Sequence, residues 1–130
     1  MLKKGEIKNL GPLSIVMPDS KSYKTGDDTL HLLMLNGMTF KEAFENAKYN
    51  YPGWRLPTIN ECNYINSLNY IGPGGKGIVE LPFNFYWTSE DYSSALAFVY
   101  KPNYLAGVGR FSQMLKEEKV KVLYVKDSLI

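Results

Sequence analysis

The stretch Gly53-Trp54-Arg55-Leu56-Pro57-Thr58-Ile59-Asn60-Glu61 joins two helix-like segments and contains one of two tryptophans, one of two arginines and a proline. Thr58 and Glu61 stand at capping-box spacing, so the Thr hydroxyl can accept from the amide three residues on while the Glu carboxylate reaches back. Pro57 biases Leu56 towards an extended conformation, which makes the chain enter the second helix at a corner. Trp54, Arg55, Pro57, Thr58 and Glu61 therefore read as a structural corner. The competing reading makes Arg55 a ligand-binding or catalytic group. The corner reading expects the Arg55 guanidinium to be mostly buried and satisfied by backbone carbonyls or a carboxylate, where a lysine would not reproduce the planar fork.

Upstream of the corner, Thr39-Phe-Lys-Glu42 is a second capping box. It opens a helix with Phe40, Ala43, Phe44, Ala47 and Tyr51 inward and Lys41, Glu42, Glu45, Asn46 and Lys48 outward, ended by Pro52-Gly53. Downstream, Ile59, Cys62, Ile65 and Leu68 mark the inward face of the second helix, with Asn60, Asn63, Asn66 and Asn69 outside. Two such helices are expected to cover one side of a sheet.

Before the helices, residues 1–12 read as a polar arm or edge strand, and Leu13-Ser-Ile-Val-Met17 as a strand. Residues 19–28 read as a solvated loop whose Asp19, Asp27 and Asp28 lack the pattern of an EF-hand. Leu30 to Leu35 is an apolar run too short to classify, followed by an Asn36-Gly37 turn. After the helices, Ile71-Gly-Pro-Gly-Gly-Lys-Gly77 lacks the ending of a phosphate-binding loop and reads as a flexible connection, irregular through Asn84. Phe85 to Thr88 begins a strand, and Ala95-Leu-Ala-Phe-Val-Tyr100 fits a central strand buried on both faces. Gly107-Val-Gly109 interrupts the pattern, Ser112 to Glu118 is short and polar, and Lys119 to Val125 is expected to pair antiparallel with the 95–100 strand.

Composition narrows the function classes. A chain of 130 residues, 45% hydrophobic and 22% charged, suits one folded domain. The net charge of +2 is small, its cations are dispersed and mostly lysine, so nucleic acid is not the expected partner. Cys62 is the sole cysteine, which excludes an intrachain disulfide, and it reads as a buried small hydrophobe. His31 has no second ligand nearby and reads as a core or edge histidine, so no metal site and no cofactor are expected. The N-terminus lacks the apolar run of a signal peptide and no stretch has the length of a membrane span, so a cytoplasmic origin without membrane insertion is expected.

Three separated pieces match one pattern: Thr39-Phe-xx-Ala43 with Ala47, Gly-Trp-Arg-Leu-Pro-Thr58-xx-Glu61, and Tyr86-Trp-Thr-Ser89 followed by an apolar strand and a β-rich end. Together, over residues 36 to 126, they resemble the bacterial and phage domain family typified by the C-terminal domain of the Legionella collagen-like adhesin. The resemblance implies a C-type-lectin-like α+β fold, two amphipathic helices on a twisted, mostly antiparallel sheet, occupying residues 13–130 behind an arm at 1–12. It also implies a display or adhesion role on cell surfaces and virions, with Trp87 joining the corner residues as a fold-maker. Departures are Lys119, Lys121 and Lys126 where many members carry arginine, which puts any carried-over anion contact in doubt. Lys101-Pro102-Asn103 stands one residue from the calcium-and-sugar motif of true C-type lectins, and lysine cannot ligate calcium. The enzyme branch of that fold uses paired cysteines, which this chain lacks.

The expected function is a non-enzymatic lectin-like module of a phage tail or capsid, assembled in the host cytoplasm, that binds a partner protein or host glycan. The binding residues expected are Asn84, Asp91, Tyr92, Asn103, Tyr104 and Arg110, in irregular segments where aromatic faces, amides and charges combine. The expected partners are other virion or surface proteins, with a homo-oligomer as the assembly; a cytoplasmic or cell-surface location within a larger assembly is the alternative. A purely structural virion component, with the arm adding a strand to a neighbour, and a divergent enzyme on the same scaffold are the competing functions.

Overall fold

Runs of β-branched and aromatic residues make the strands of this chain, and apolar residues spaced three and four apart make its helices. The computed structural model describes residues 2–18, 23–25, 28–30, 37–69 and 81–128. In chain order the elements are β1 (Ile7–Asn9), β2 (Leu13–Val16), β3 (Tyr23–Thr25), β4 (Asp28–Leu30), α1 (Phe40–Asn50), α2 (Ile59–Asn69), β5 (Tyr86–Asp91), β6 (Leu96–Lys101), β7 (Arg110–Leu115) and β8 (Tyr124–Asp127). They form an α+β fold with two antiparallel three-stranded sheets, ordered β1-β2-β8 and β5-β6-β7, and a β3-β4 hairpin. His31, the rest of the run to Leu35 and the glycine-rich 71–77 connection lie outside the described residues.

Three expectations about the strands are corrected. The 19–28 stretch holds β3 and the start of β4, paired antiparallel, because strand formers such as Tyr23 and Thr25 outweigh its polar composition. Arg110, expected in an irregular segment, and the first part of the polar 112–118 stretch form a six-residue strand, Arg110–Leu115. It pairs in unbroken register with β6, from Leu96 opposite Leu115 to Lys101 opposite Arg110. The terminal run therefore does not pair with the 95–100 strand: both edges of β6 are taken by its neighbours in sequence, which close shorter loops. Tyr124–Asp127 pairs instead with β2, Ile15 opposite Val125, while Val120 bridges Met38 and Lys121 bridges Tyr86.

The helices do not share one side of the sheet. Successive strand residues point to opposite faces. Ile15, Tyr86 and Val125 pack with Cys62 and Ile65 of α2, whereas their neighbours Val16, Trp87 and Tyr124 pack with Ala43 and Ala47 of α1. Each helix also buries asparagines that the apolar spacing placed outside. Asn46 of α1 donates to the Tyr124 hydroxyl at 3.1 Å, and Tyr124 donates to the Ala43 carbonyl at 2.6 Å. Asn66 and Asn69 of α2 are buried too, whereas Phe44, expected inward, is exposed. A buried tyrosine needs a partner for its hydroxyl, and the helix facing it supplies one.

The corner at 53–61 is stitched into this frame. Gly53 takes a positive φ of 88°, and Arg55 and Val125 exchange backbone hydrogen bonds at 2.9 and 2.8 Å, joining the corner to β8. The Ser89 amide donates to the Pro57 carbonyl at 2.8 Å, so β5 holds the same corner from the other end. Both capping boxes form: the Glu42 amide donates to Thr39 Oγ1 at 3.1 Å, and the Glu61 amide to Thr58 Oγ1 at 3.1 Å.

The two cap glutamates set an acid limit. Burial alone would raise their carboxyls, but hydrogen bonds from Lys119 and the Thr39 amide to Glu42, and from Arg55 and the Thr58 amide to Glu61, hold both below the ordinary 4.5. Folding lowers both values, so their contribution is full above about pH 4.5 and is lost as pH falls through the lower folded values. The melting temperature is expected to drop as pH falls below that value, and Glu61→Gln to flatten the drop; thermal melts across the acid range check it.

Candidate functional site

Arg55, the residue with a competing functional reading, is committed within the fold. Its Nη1 and Nη2 donate to Glu61 Oε1 and Oε2 at 2.6 and 2.8 Å, and Nη2 also reaches Asp127 Oδ1 at 3.1 Å. The carboxylate partner matches the corner reading, whereas the burial does not: the side chain is 43% exposed. The fork lies across the surface between α2 and β8, because its second partner, Asp127, sits at the exposed end of the terminal strand. Arg55→Lys is expected to cost about 0.5–1 kcal/mol, the scale of an exposed ion pair, without loss of any binding. Denaturant midpoints read the first part and a binding assay the second.

Lys119 and Lys126 are engaged as well. Lys119 Nζ stands 2.6 Å from Glu42 Oε1, and Lys126 Nζ lies 4.7 Å from the Trp54 ring centroid.

The six expected binding residues fall into two groups at opposite ends of β6. Asp91 ends β5, where it pairs with Lys116 at 2.8 Å, and Tyr92 follows with its ring edge-on to Phe98 at 5.5 Å. Asn103, Tyr104 and Arg110 belong to the other end, where loop 102–109 connects β6 to β7. The length of β6 separates the groups by about 17 Å, at 3.4 Å per residue, so they do not make one site. Asn84 joins the second group through its neighbour Phe83, whose ring lies 4.5 Å from Lys101 Nζ, and Lys101 stands opposite Arg110.

The loop end is built from α2 upward. Asn66 Nδ2 donates to the carbonyls of Asn103 and Ala106 at 3.2 and 3.0 Å, and its Oδ1 accepts from the Asn103 amide at 2.8 Å and the Tyr100 hydroxyl at 2.9 Å. Asn63 Oδ1 accepts from the Gly109 amide at 3.0 Å. Gly109 has to be glycine here, since a Cβ would collide with the Tyr100 ring. The Tyr104 hydroxyl donates to the Leu81 carbonyl and fastens the loop to the segment leading into β5. The Tyr104 hydroxyl and the Asn103 backbone thus position the loop.

What projects is apolar and cationic. Phe83, Leu105 and Val108 are 57%, 80% and 62% exposed, beside Lys101 and the exposed Arg110. Sequence reading missed Phe83, Leu105, Val108 and the two asparagines that hold the loop. The available signal was Gly107-Val108-Gly109, a valine presented between two glycines with no strand or helix to bury it.

Burial raises the Cys62 thiol and the Tyr86 and Tyr100 hydroxyls, which leaves all three protonated at neutral pH. Among the described residues, no three His, Cys, Asp or Glu side chains stand close enough together to hold a metal ion, and no helix is long and apolar enough to cross a membrane. No protein-family model and no curated protein matches the chain.

Proposed function

We propose that this chain is a non-enzymatic, C-type-lectin-like module that decorates a phage tail or capsid and binds a partner protein through the loop end of β5-β6-β7. The observation that carries the reading is a fixed loop that exposes Leu105 and Val108 at the same end of the sheet as Phe83, Lys101 and Arg110. Exposed aliphatic groups flanked by cations complement an apolar protein surface rimmed with acids. Stacking on a sugar ring is less well served, because Lys101 occupies a face of Phe83. The corner motif and its capping box support the lectin-like reading, and the buried, protonated Cys62 supports a role without a thiol nucleophile. A host glycan is the alternative ligand.

Immunogold microscopy of particles purified from the producing culture tests the placement: label on tails or capsids supports it, and label confined to cell debris overturns it. A Leu105→Asp, Val108→Asp double variant is expected to lose incorporation while keeping its melting temperature. A glycan array that lights up with the chain, and dims with that variant, would replace the partner protein by a sugar.

One observation favours a purely structural assembly role. β1 is an edge strand with Ile7 61% exposed, to which a neighbouring copy can add a strand. Deleting the arm is not a clean test, since Leu2 and Leu10 are buried in the core on the α2 side. Ile7→Lys followed by analytical ultracentrifugation is: a monomer unchanged by the substitution counts against assembly through β1.

A further inference from the structure

The face of β5-β6-β7 that packs on α2 is covered over only part of its area. Tyr100 is buried there with Cys62 and Ile65, and Phe111, opposite Tyr100, packs against the same cluster. Leu96 and Phe98 share that face, because strand residues two apart do, yet among the described residues they join neither core cluster. Leu115, opposite Leu96, is exposed, as is Tyr92, whose ring stands edge-on to Phe98 at 5.5 Å. The charge left over at this end is negative. Lys116 is paired with Asp91 at 2.8 Å and Lys119 with Glu42 at 2.6 Å. Glu117 and Glu118 follow β7, both exposed, with no ion pair among the described residues. The Glu118 amide donates to the Leu115 carbonyl at 2.9 Å, which holds this acidic turn against the apolar patch.

We propose that the partner of the loop end is a second copy of this chain, whose Leu96, Phe98, Leu115 and Tyr92 receive Leu105 and Val108. The inference rests on the reading of the loop end as a protein-binding surface and names what that surface binds. An aliphatic loop flanked by Lys101 and Arg110 calls for an apolar patch rimmed with acids. The chain itself presents one, edged by Glu117 and Glu118, at the far end of the same sheet. The two ends lie about 17 Å apart along β6, held there by the strands, so one copy cannot close on itself. Two different surfaces meet, and each joined copy keeps one end free, so the copies run head to tail into a ring or an open filament. A patch of four side chains falls at the small end of specific interfaces, which makes a single contact weak and reversible. The charges sit at the rim, where they steer the encounter and set its register, while the apolar side chains hold it.

Sedimentation of two complementary variants of the full chain tests it. The unaltered chain is expected to grow past the dimer as its concentration rises. Leu105→Asp, Val108→Asp removes the loop end, and Tyr92→Ser, Leu115→Asp removes the receiving patch. Each variant alone is expected to stay monomeric with its melting temperature kept, and an equimolar mixture to stop at the dimer, because only one productive contact remains. If the patch variant does not fold, Glu117→Lys, Glu118→Lys takes its place, since both side chains are in solvent. An unaltered chain still monomeric at about 1 mM overturns the proposal. So does a folded variant that associates alone as the unaltered chain does, the result a two-fold pairing of strand edges would give, and so does a mixture that fails to dimerise. A monomeric chain whose loop-end variant still loses incorporation into particles removes the second copy and leaves the partner-protein reading standing.

Discussion

Asn66→Asp is expected to destabilise the chain by about 3–5 kcal/mol and to release loop 102–109, although the substitution changes a single atom type. The carboxamide is fully buried and uses both ends. Its oxygen accepts from the Tyr100 hydroxyl and the Asn103 amide, and its nitrogen donates to the Asn103 and Ala106 carbonyls. Aspartate keeps the first pair of contacts and turns the donors into an acceptor facing two carbonyls. Each buried polar group left unsatisfied costs about 1–3 kcal/mol, and a carboxylate there adds desolvation or must take up a proton. Urea midpoints measure the loss, and amide exchange at Ala106 to Gly109 reports the loop. A loss below about 1 kcal/mol with unchanged exchange would mean that Asn63 and Tyr104 hold the loop by themselves.

The same residue explains where the sequence stopped being legible. Thr58, Glu61, Thr39 and Glu42 could be read because a capping box acts between neighbours in the chain, and both boxes form. Helical periodicity counts hydrophobicity alone and so puts Asn46 and Asn66 outside. Their burial depends on Tyr124 and Tyr100, 78 and 34 residues away. The fate of the terminal run was likewise non-local: it depended on Arg110–Leu115 having already taken the free edge of β6. At the candidate surface, the chemistry of tyrosine and asparagine points to binding, yet the Tyr104 hydroxyl and the Asn103 backbone serve as anchors. The exposed Leu105 and Val108 carry no polar signature, and only the hairpin geometry puts them in solvent.

Trp87→Ala is expected to cost about 3–5 kcal/mol, and Trp87→Phe only about 1–2, with the difference measuring packing against hydrogen bonding. The indole is fully buried among the residues facing α1, edge-on to Phe40 at 5.3 Å, and its Nε1 donates to the Met38 carbonyl at 2.8 Å. Alanine empties that volume and orphans the carbonyl. Phenylalanine fills most of the volume and loses the donor alone. Met38 also exchanges backbone hydrogen bonds with Val120, at 2.8 and 2.9 Å, so the indole braces the link between α1's entrance and the terminal segment. Equal stability losses in denaturant titrations of the two variants would show that the Met38 contact, rather than the ring, holds this face together.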